Sequence, residues 1–274
     1  MLKANFHTHT TLCDGKDTPE DIVVKAIDLG FRQIGFSGHM DYGCHMVLME
    51  YLTEVDRLRK KYEGIIDILA GIELDNMYNP ECAKYAEYTI GSTHFLDIRS
   101  EQPLAIDLTK EQFVSICHRY FSDDYISMSR AYYELVGKSY DRMHCDIVGH
   151  FDLIVRFNDE LNCIDETSRK YYMPALEAME NLCKKDVVFE LNCGAYNRGR
   201  KRELYPNTFL LKHLNEFGGR IIINSDAHQK ELLSEGFDFA VKKAIECGFK
   251  YVNILKHDGN GKVVFQEELL SSVQ

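Results

Sequence analysis

Short apolar runs that alternate with segments of helical spacing are the feature that most restricts the fold of this 274-residue chain. Each run has the length of a buried strand, and a polar side chain follows it. The order strand, helix, strand predicts parallel strands joined by right-handed crossovers. The predicted strands are the residues up to Phe6 and residues 33–37, 65–72, 88–93, 146–149, 187–191 and 221–224.

The number of these units favours a barrel over an open sheet. About seven strand–helix units, each with a ligand-type side chain at the carboxyl end of its strand, would place all those side chains at one mouth of an α/β barrel. A doubly wound sheet would concentrate a site at one switch point and leave several strand ends unused. Hydrophobic residues make up 45% of the chain, and no linker, charge block or repeat interrupts it, so a single domain is the simplest prediction.

Caps and apolar spacing predict the helices. Thr18 and Pro19 resemble a helix start, and Gly30 marks the end of that helix. Residues 110–137 form a long helical region, either one helix or two helices joined near residues 122–124. Residues 96–108 are predicted to be a loop, because a proline and alternating charges break both periodicities. The other predicted helices are residues 48–62, 83–88, 168–185 apart from Pro174, and 205–217.

Histidines and carboxylates recur at the strand ends or close to them. The nine residues are His7, His9, Asp14, His39, Glu73, His94, His150, Asp226 and His228. His7 and His9 occupy alternate positions of an extended segment, so their side chains point the same way. Histidines that only form hydrogen bonds within a core would not be expected to recur, together with carboxylates, at the same position after successive strands. Imidazole and carboxylate ligands suit Zn²⁺, Mn²⁺ and Fe²⁺, and nine ligands require two or three ions.

A cluster of this kind predicts phosphoester hydrolysis. Two cations a few ångströms apart can hold a bridging hydroxide and clamp both the attacking and the leaving oxygen. Glu73 is the natural bridging ligand, because it is the only glutamate at such a strand end. A phosphate also needs fixed donors, and arginine provides them in a forked geometry. The predicted substrate-binding residues are Ser92, Arg156, Asn192 and Arg198, and the sequence leaves open which of Arg198, Arg200, Lys201 and Arg202 reaches the phosphate.

Charge and cysteine content limit the partners and the compartment. The formal net charge of −11 argues against a nucleic-acid backbone as the main partner. Nine scattered cysteines without a C-x-x-C pair suggest reduced thiols, and the N-terminal residues do not resemble a signal peptide. No apolar run approaches membrane-spanning length, so we expect a cytoplasmic protein with a small phosphorylated substrate and no membrane partner. Cys13 is expected to be a packing residue, and the oligomeric state is left open.

Six motifs, in order along nearly the whole chain, resemble the PHP superfamily, which is named for polymerase and histidinol phosphatase domains. The motifs are FHTHT at residues 6–10, SGH at 37–39, GIE at 71–73, GSTHF at 91–95, VGH at 148–150 and SDAH at 225–228. The resemblance implies a distorted seven-stranded β/α barrel over residues 1–274, with a helical insert at about residues 109–138. It also implies a trinuclear metal site. In that arrangement His7, His9, Glu73 and Asp226 hold one ion, Glu73, His94 and His150 a second, and Asp14, His39 and His228 a third.

Within the superfamily, the length and several segments are most similar to the PHP-type histidinol-phosphate phosphatases of histidine biosynthesis. The resemblance implies hydrolysis of L-histidinol phosphate to L-histidinol and phosphate by a hydroxide that bridges metals. Glu73, Asp226 and His228 are the predicted catalytic residues, and the proton donor is open between a metal-bound water, Asp226 and a nearby histidine. Two alternatives are a PHP phosphoesterase for another small phosphate ester or a nucleotide, and a metal-binding regulatory module without catalysis.

Overall fold

Strands from the whole length of the chain form the centre of the molecule. The computed structural model describes residues 2–98 and 103–273. The strands, in chain order, are β1 (Ala4–Asn5), β2 (Gln33–Phe36), β3 (His39–Met40), β4 (Asp67–Asp75), β5 (Tyr88–Ser92), β6 (Phe95–Leu96), β7 (Leu104–Ala105), β8 (Ile147–Val148), β9 (Val188–Asn192), β10 (Arg220–Asn224), β11 (Tyr251–His257) and β12 (Val263–Leu269).

Seven of these strands are parallel and form a ring. Their order is β1-β2-β4-β5-β8-β9-β10, and the segments that follow β10 and β1 close it. There the His9 N–H donates to the Ala227 carbonyl oxygen at 2.8 Å, and the Ala227 N–H donates to the His7 carbonyl oxygen at 3.2 Å. Strand β11 adds to β10 in parallel and β12 to β11 in antiparallel orientation. The distorted seven-stranded barrel that the sequence predicts is confirmed.

The helices connect the strands and cover the barrel. They are α1 (Pro19–Asp28), α2 (Leu48–Lys61), α3 (Lys110–Phe121), α4 (Tyr125–Val136), α5 (Ser139–Met143), α6 (Asn158–Leu161), α7 (Arg169–Cys183), α8 (Gly194–Asn197), α9 (Thr208–Glu216) and α10 (Phe237–Glu246). Thr18 caps α1 in a capping box with Asp21, as the sequence suggests. The region predicted as one helix or two contains two, α3 and α4. In the parts of the chain that the structure describes, no helix is both long and apolar enough to cross a membrane.

Tyr88 crosses the interior of the ring and forms its floor. Its hydroxyl donates to the carbonyl oxygens of Phe6 at 2.6 Å and Phe36 at 3.0 Å. The ring lies against two glycines: a Cβ atom at Gly35 would come within 2.2 Å of the Tyr88 hydroxyl, and one at Gly71 within 2.1 Å of Cζ. Only glycine fits at these positions because interiors are packed too densely to move a ring aside. The floor separates the apolar core from the polar mouth above it.

The strand predicted at residues 65–72 is shifted along the chain. β4 begins at Asp67 and continues to Asp75, so Glu73 lies within the strand and does not follow it. The cause is β3, which pairs with β4 through His39 opposite Glu73 and Met40 opposite Leu74. This extra pairing extends the ladder past the predicted end and places His39 beside Glu73.

Other predicted boundaries also differ from the structure. Residues 96–108 were predicted to be a loop, but β6 ends at Leu96 and forms a short antiparallel pair with β7. Residues 99–102 of the predicted loop lie outside the described residues. The helix predicted from residue 205 begins at Thr208, because Tyr205 instead exchanges backbone hydrogen bonds with Asn192 and Asn207 caps the helix. α7 runs through Pro174 without a break. Residues 83–88 contain the end of a 3₁₀ turn and the first residue of β5.

Candidate metal centre

The predicted metal ligands converge at one mouth of the barrel, above the Tyr88 floor. His39 and Glu73 lie within β3 and β4, and Asp14 lies in the loop before α1. The remaining six are His7 and His9 after β1, His94 after β5, His150 after β8, and Asp226 and His228 after β10. Carboxyl ends of parallel strands meet at one edge, so residues far apart in sequence become neighbours.

The Glu73 carboxylate lies at the centre of the cluster, with its two oxygens facing different histidines. Oε2 is 3.1 Å from His39 Nδ1, 3.2 Å from His7 Nε2 and 3.4 Å from His9 Nε2. On the other side, Oε1 is 2.8 Å from His150 Nε2 and 3.2 Å from His94 Nε2. A carboxylate between two sets of imidazoles has the position that a bridging ligand requires. That bridging role stays a prediction.

Three groups of ligand atoms are each compact enough to surround one ion, with all atoms in a group within 4.8 Å of one another. They are His7, His9 and Asp226, then Glu73, His94 and His150, and finally His9, Asp14, His39 and His228. These groups match the three that the family resemblance implies, with Glu73 missing from the first and His9 added to the third. Two further groups are His39, Asp41 and His94, and Cys13, Asp14 and Cys44.

Several of these buried polar atoms form no hydrogen bond within the described part of the chain. They include Nε2 of His7, both ring nitrogens of His9 and Oε2 of Glu73. An unpaired buried polar atom costs about 1–3 kcal/mol. The unpaired atoms face one another across the cluster, and a cation between them would satisfy several at once. The donor set therefore fits divalent metal ions of the borderline and hard classes.

The pKa values show how strongly this cluster attracts positive charge. Burial by itself raises the pKa of Glu73, but His39 and His7 outweigh it and hold the pKa well below the ordinary value. Burial by itself lowers the pKa of His94, but Glu73 raises it to about 10. Burial likewise opposes protonation of His9, whose pKa Asp14 and Asp226 raise to about 9. Without a cation, protons on His9 and His94 supply positive charge beside the carboxylates, whereas burial lowers the pKa of His39 to about 3. A metal ion would displace the two protons.

Glu190, in the middle of β9, was missed by the sequence analysis. Its Oε1 is 2.6 Å from His7 Nδ1, and its Oε2 accepts the His150 N–H at 3.0 Å. Asn192 and Asn224 also donate to this carboxylate, at 2.9 and 3.0 Å. The carboxylate orients His7 so that Nε2 faces the cluster. The sequence does contain a signal for Glu190. It is a charged residue within an apolar strand, and the polar Asn192 lies two positions later on the same face.

Asp41 is a second carboxylate that the sequence analysis did not assign. Its Oδ2 lies 3.3 Å from His39 Nδ1, and its Oδ1 accepts the N–H groups of Gly43 at 2.6 Å and Cys44 at 2.7 Å. Asp41 therefore both fixes its own turn and adds negative charge beside His39. Asp41 lies two residues after His39 in an extended segment, so its side chain points the same way, and this alternation could have indicated its position.

The cluster opens into a cavity of about 840 Å³ that three arginines also line. Arg156, Arg198 and Arg200 line it together with His39, Glu73, His94, His150, Asp226 and His228. Lys201 is instead buried and donates to the Val155 carbonyl oxygen, and Arg202 points to solvent. Within the basic run at residues 198–202, the structure thus places Arg198 and Arg200 where an anion in the cavity could be contacted.

Arg198 is held against Asp226. Its Nη2 is 3.3 Å from Asp226 Oδ2, and its Nη1 donates to the Asp226 carbonyl oxygen at 3.0 Å. Asp226 has a φ of 50°, which is uncommon for a residue other than glycine, and such conformations persist where the surroundings enforce them. Gly194 makes room for this pair, because a Cβ atom there would lie 2.6 Å from Asp226 Oδ2. The pair is therefore rigidly positioned at the cavity wall.

The other two predicted substrate contacts already have partners within the protein. Ser92 is fully buried and its hydroxyl donates to Glu73 Oε1 at 2.7 Å. Asn192 donates to Glu190 and accepts the Gly194 N–H at 2.7 Å. Both side chains hold the carboxylates of the cluster in place, and direct contact with a substrate stays a prediction for each.

Known proteins resemble this chain over most of its length. The family model described as PHP domain matches residues 5–194. The probable histidinol-phosphatase of Deinococcus radiodurans is 27% identical over 265 residues, covering 90% of this chain and 94% of the relative. The probable histidinol-phosphatase of Schizosaccharomyces pombe is 25% identical, covering 96% and 92%. The crystal structure of histidinol phosphate phosphatase from Lactococcus lactis, complexed with zinc, L-histidinol and phosphate, has the same fold, with a TM-score of 0.69. The two sequences are 19% identical, and the match covers 92% of this chain and 97% of that chain.

Proposed function

We propose that this chain, which belongs to the PHP domain family, is a metal-dependent phosphomonoesterase that hydrolyses L-histidinol phosphate to L-histidinol and phosphate. The observation that carries the proposal is a single cavity lined both by a cluster of histidines and carboxylates and by three arginines. The relatives named histidinol-phosphatase, and the similar fold solved with L-histidinol and phosphate, support the choice of substrate.

Two or three divalent ions, Zn²⁺, Mn²⁺ or Fe²⁺, are the proposed cofactors. The residues that would hold them are the three groups around His7, Glu73 and Asp14 described above. When bound, the ions supply a nucleophile at neutral pH and stabilise charge on the phosphoryl oxygens. The neighbour from Lactococcus lactis contains zinc, which supports an ion of this class.

The arginines of the cavity wall bind and orient the phosphate in this proposal. Arg198 is fixed by Asp226, and Arg156 lies 3.7 Å from Asp107 through its Nη1, so neither guanidinium must be ordered when substrate arrives. A pre-ordered guanidinium donates to two phosphate oxygens at a lower entropic cost than a free side chain. These contacts hold the phosphorus atom over the Glu73 cluster.

Departure of the alkoxide requires a proton at its oxygen. His228 is proposed to deliver this proton and Asp226 to orient it, because both line the cavity and His228 Nδ1 is 3.4 Å from Asp226 Oδ1. His228 also contacts Asp14 through Nε2 at 3.1 Å. The imidazole is thus held between two carboxylates at the edge of the cavity, and histidine is the side chain that most often acts as a general acid.

A panel of phosphate esters tests the proposed substrate. The metal-loaded chain is expected to hydrolyse L-histidinol phosphate with a kcat/KM at least about tenfold above the values for sugar phosphates, nucleotides and simple alkyl phosphates. One well-formed set of contacts to the histidinol part of the substrate is worth about 1.4 kcal/mol or more, which corresponds to this factor. A preference below this, with turnover of several esters, would indicate a PHP phosphoesterase for another substrate. A fully metal-loaded sample inert on every ester would indicate a metal-binding module without catalysis.

Replacing Arg198 with alanine is expected to raise KM for the phosphate ester by about tenfold or more and to lower kcat less, because a charged hydrogen bond to the phosphate is lost. Steady-state kinetics on Arg198→Ala measure both constants, and metal content is measured alongside because Arg198 contacts Asp226. Arg202→Ala is the matched control, since Arg202 belongs to the same basic run and is exposed. An unchanged KM in Arg198→Ala would contradict the phosphate-binding role.

A further inference from the structure

We propose that Cys13 and Cys44, together with Asp14, bind a thiolate-preferring divalent cation such as Zn²⁺ at the rim of the cavity. This site shares Asp14 with the predicted ligands and adds the two cysteines, and it differs from the expectation that Cys13 only packs. The inference does not depend on the proposed substrate, because it concerns the cation alone.

The three side chains form a compact group although they come from two separate loops. Cys13 Sγ and Cys44 Sγ are 2.9 Å apart, and with one Asp14 carboxylate oxygen they lie within 4.8 Å of one another. Both cysteines are half-buried and Asp14 is exposed, so the group is open to solvent on one side. Cys44 and Asp14 also line the cavity. A cation can therefore reach the sulfur atoms from the solvent side. The two thiol side chains must rotate apart for both to bind it, because two sulfur ligands at about 2.3 Å from one tetrahedral ion lie about 3.8 Å apart.

The loop that carries Cys13 is fixed by backbone hydrogen bonds. The N–H groups of Cys13 and Gly15 both donate to the Thr10 carbonyl oxygen, at 2.9 and 3.0 Å. The His39 N–H donates to Cys13 Sγ at 3.3 Å. A backbone donor aimed at sulfur stabilises a thiolate ligand and orients it, as outer contacts do in metal sites.

The loop that carries Cys44 is held in a similar way by Asp41. The Cys44 N–H donates to Asp41 Oδ1 at 2.7 Å, and the Asp41 N–H donates to the Cys44 carbonyl oxygen at 3.0 Å. The next residues turn back, and the Met46 N–H donates to the His39 carbonyl oxygen at 3.1 Å. The backbones of both loops are thus held in place, which lowers the entropic cost of bringing the two sulfur atoms onto one ion.

The ligand types select the cation. Two thiolates with a carboxylate favour Zn²⁺ over Mn²⁺, because soft sulfur ligands bind borderline and soft ions more strongly than hard ones. Binding displaces two thiol protons to solvent, and the fourth tetrahedral position stays available for water. Asp14 also contacts His228 and His39, at 3.1 and 3.6 Å, so the same carboxylate connects this group to the third group of predicted ligands.

Cobalt substitution tests the site directly, because Co²⁺ bound to thiolate shows charge-transfer absorption in the near ultraviolet and Co²⁺ bound only to nitrogen and oxygen does not. The metal-free full chain is titrated with Co²⁺ in the presence of a non-thiol reductant. We expect the charge-transfer band in the unaltered chain and its loss in both Cys13→Ser and Cys44→Ser. We also expect Zn²⁺ at this site to bind at least about tenfold more weakly in each variant. Cys163→Ser is the matched control, since Cys163 is also half-buried and lies outside the group.

Three results would overturn the proposal. The first is full cobalt occupancy of the chain without a charge-transfer band. The second is a band that persists in both serine variants. The third is a disulfide between Cys13 and Cys44 in the metal-saturated chain without reductant, which would show that the two sulfur atoms pair with each other in place of binding metal. Cadmium NMR of the unaltered chain reports sulfur ligation without any variant, so a misfolded variant does not prevent the test. Ester turnover measured on the same samples separates failure of this site from failure of the proposed hydrolase.

Discussion

Replacing Glu73 with glutamine is expected to reduce kcat/KM for the phosphate ester by roughly a thousandfold or more, the loss of about 4 kcal/mol of transition-state stabilisation. The reason is the central position of this carboxylate, which contacts His39 through one oxygen and His150 through the other. Glutamine keeps the shape of the side chain but removes its negative charge. Its N–H₂ group would also point towards imidazole nitrogens whose lone pairs are needed to bind a cation. At least one ion should be lost with it.

Metal content by elemental analysis and steady-state kinetics on the same sample check this prediction. Glu63→Gln is the control, because Glu63 is exposed in the turn before β4, away from the cluster. Circular dichroism should show the same fold in both variants, since Glu73 lies above the apolar floor and does not pack within it. Full activity with a full complement of metal in Glu73→Gln would show that this carboxylate bridges nothing.

The positions of the candidate ligands could be predicted because a barrel of parallel strands brings every carboxyl end to one mouth. His94, His150 and Asp226 each follow a short apolar run, and period-two alternation sets the direction of His7 and His9. The sequence thus contains both the spacing of the strands and the identity of the residues that end them. These two facts are enough to predict which residues form the cluster without any knowledge of their contacts.

What could not be predicted depends on pairing between segments distant in sequence. The extension of β4 to Asp75 arises from its pairing with β3, which has only two residues and no apolar pattern of its own. Tyr205 pairs with Asn192, which delays the start of α9. β11 and β12 pair with each other through seven register positions, an antiparallel contact that strand–helix alternation does not predict.

Glu190 was missed for a different reason. Candidate ligands were predicted only at positions that follow a strand, and residues within a strand were predicted to belong to the core. In this barrel, an inward-facing residue within a strand already reaches the polar mouth, as Glu190 and Glu73 both do. An acidic residue inside an apolar strand is costly to bury unless it is paired, so its presence should itself predict a partner above the floor.

Replacing Glu190 with glutamine is therefore expected to weaken metal binding by about ten- to a hundredfold, although this residue is outside the three metal-binding groups. Burial raises the pKa of Glu190, but His7 outweighs it and holds the pKa below the ordinary value, so the group accepts hydrogen bonds as a carboxylate. It accepts from His7, His150, Asn192 and Asn224. A glutamine has one oxygen for these donors and presents an N–H₂ group to the rest, which costs about 1–3 kcal/mol.

Competition with a chromophoric chelator measures metal affinity, and urea unfolding in the metal-free state measures the folding term separately. Glu87→Gln provides the comparison: Glu87 accepts from Arg59 and from the backbone of Ala70 just before β5, on the side of the Tyr88 floor opposite the cluster. Loss of the Glu87 carboxylate should lower the free energy of unfolding and leave metal affinity unchanged. If Glu190→Gln behaves like Glu87→Gln, with reduced stability and unaltered metal affinity, Glu190 stabilises the fold and does not orient His7.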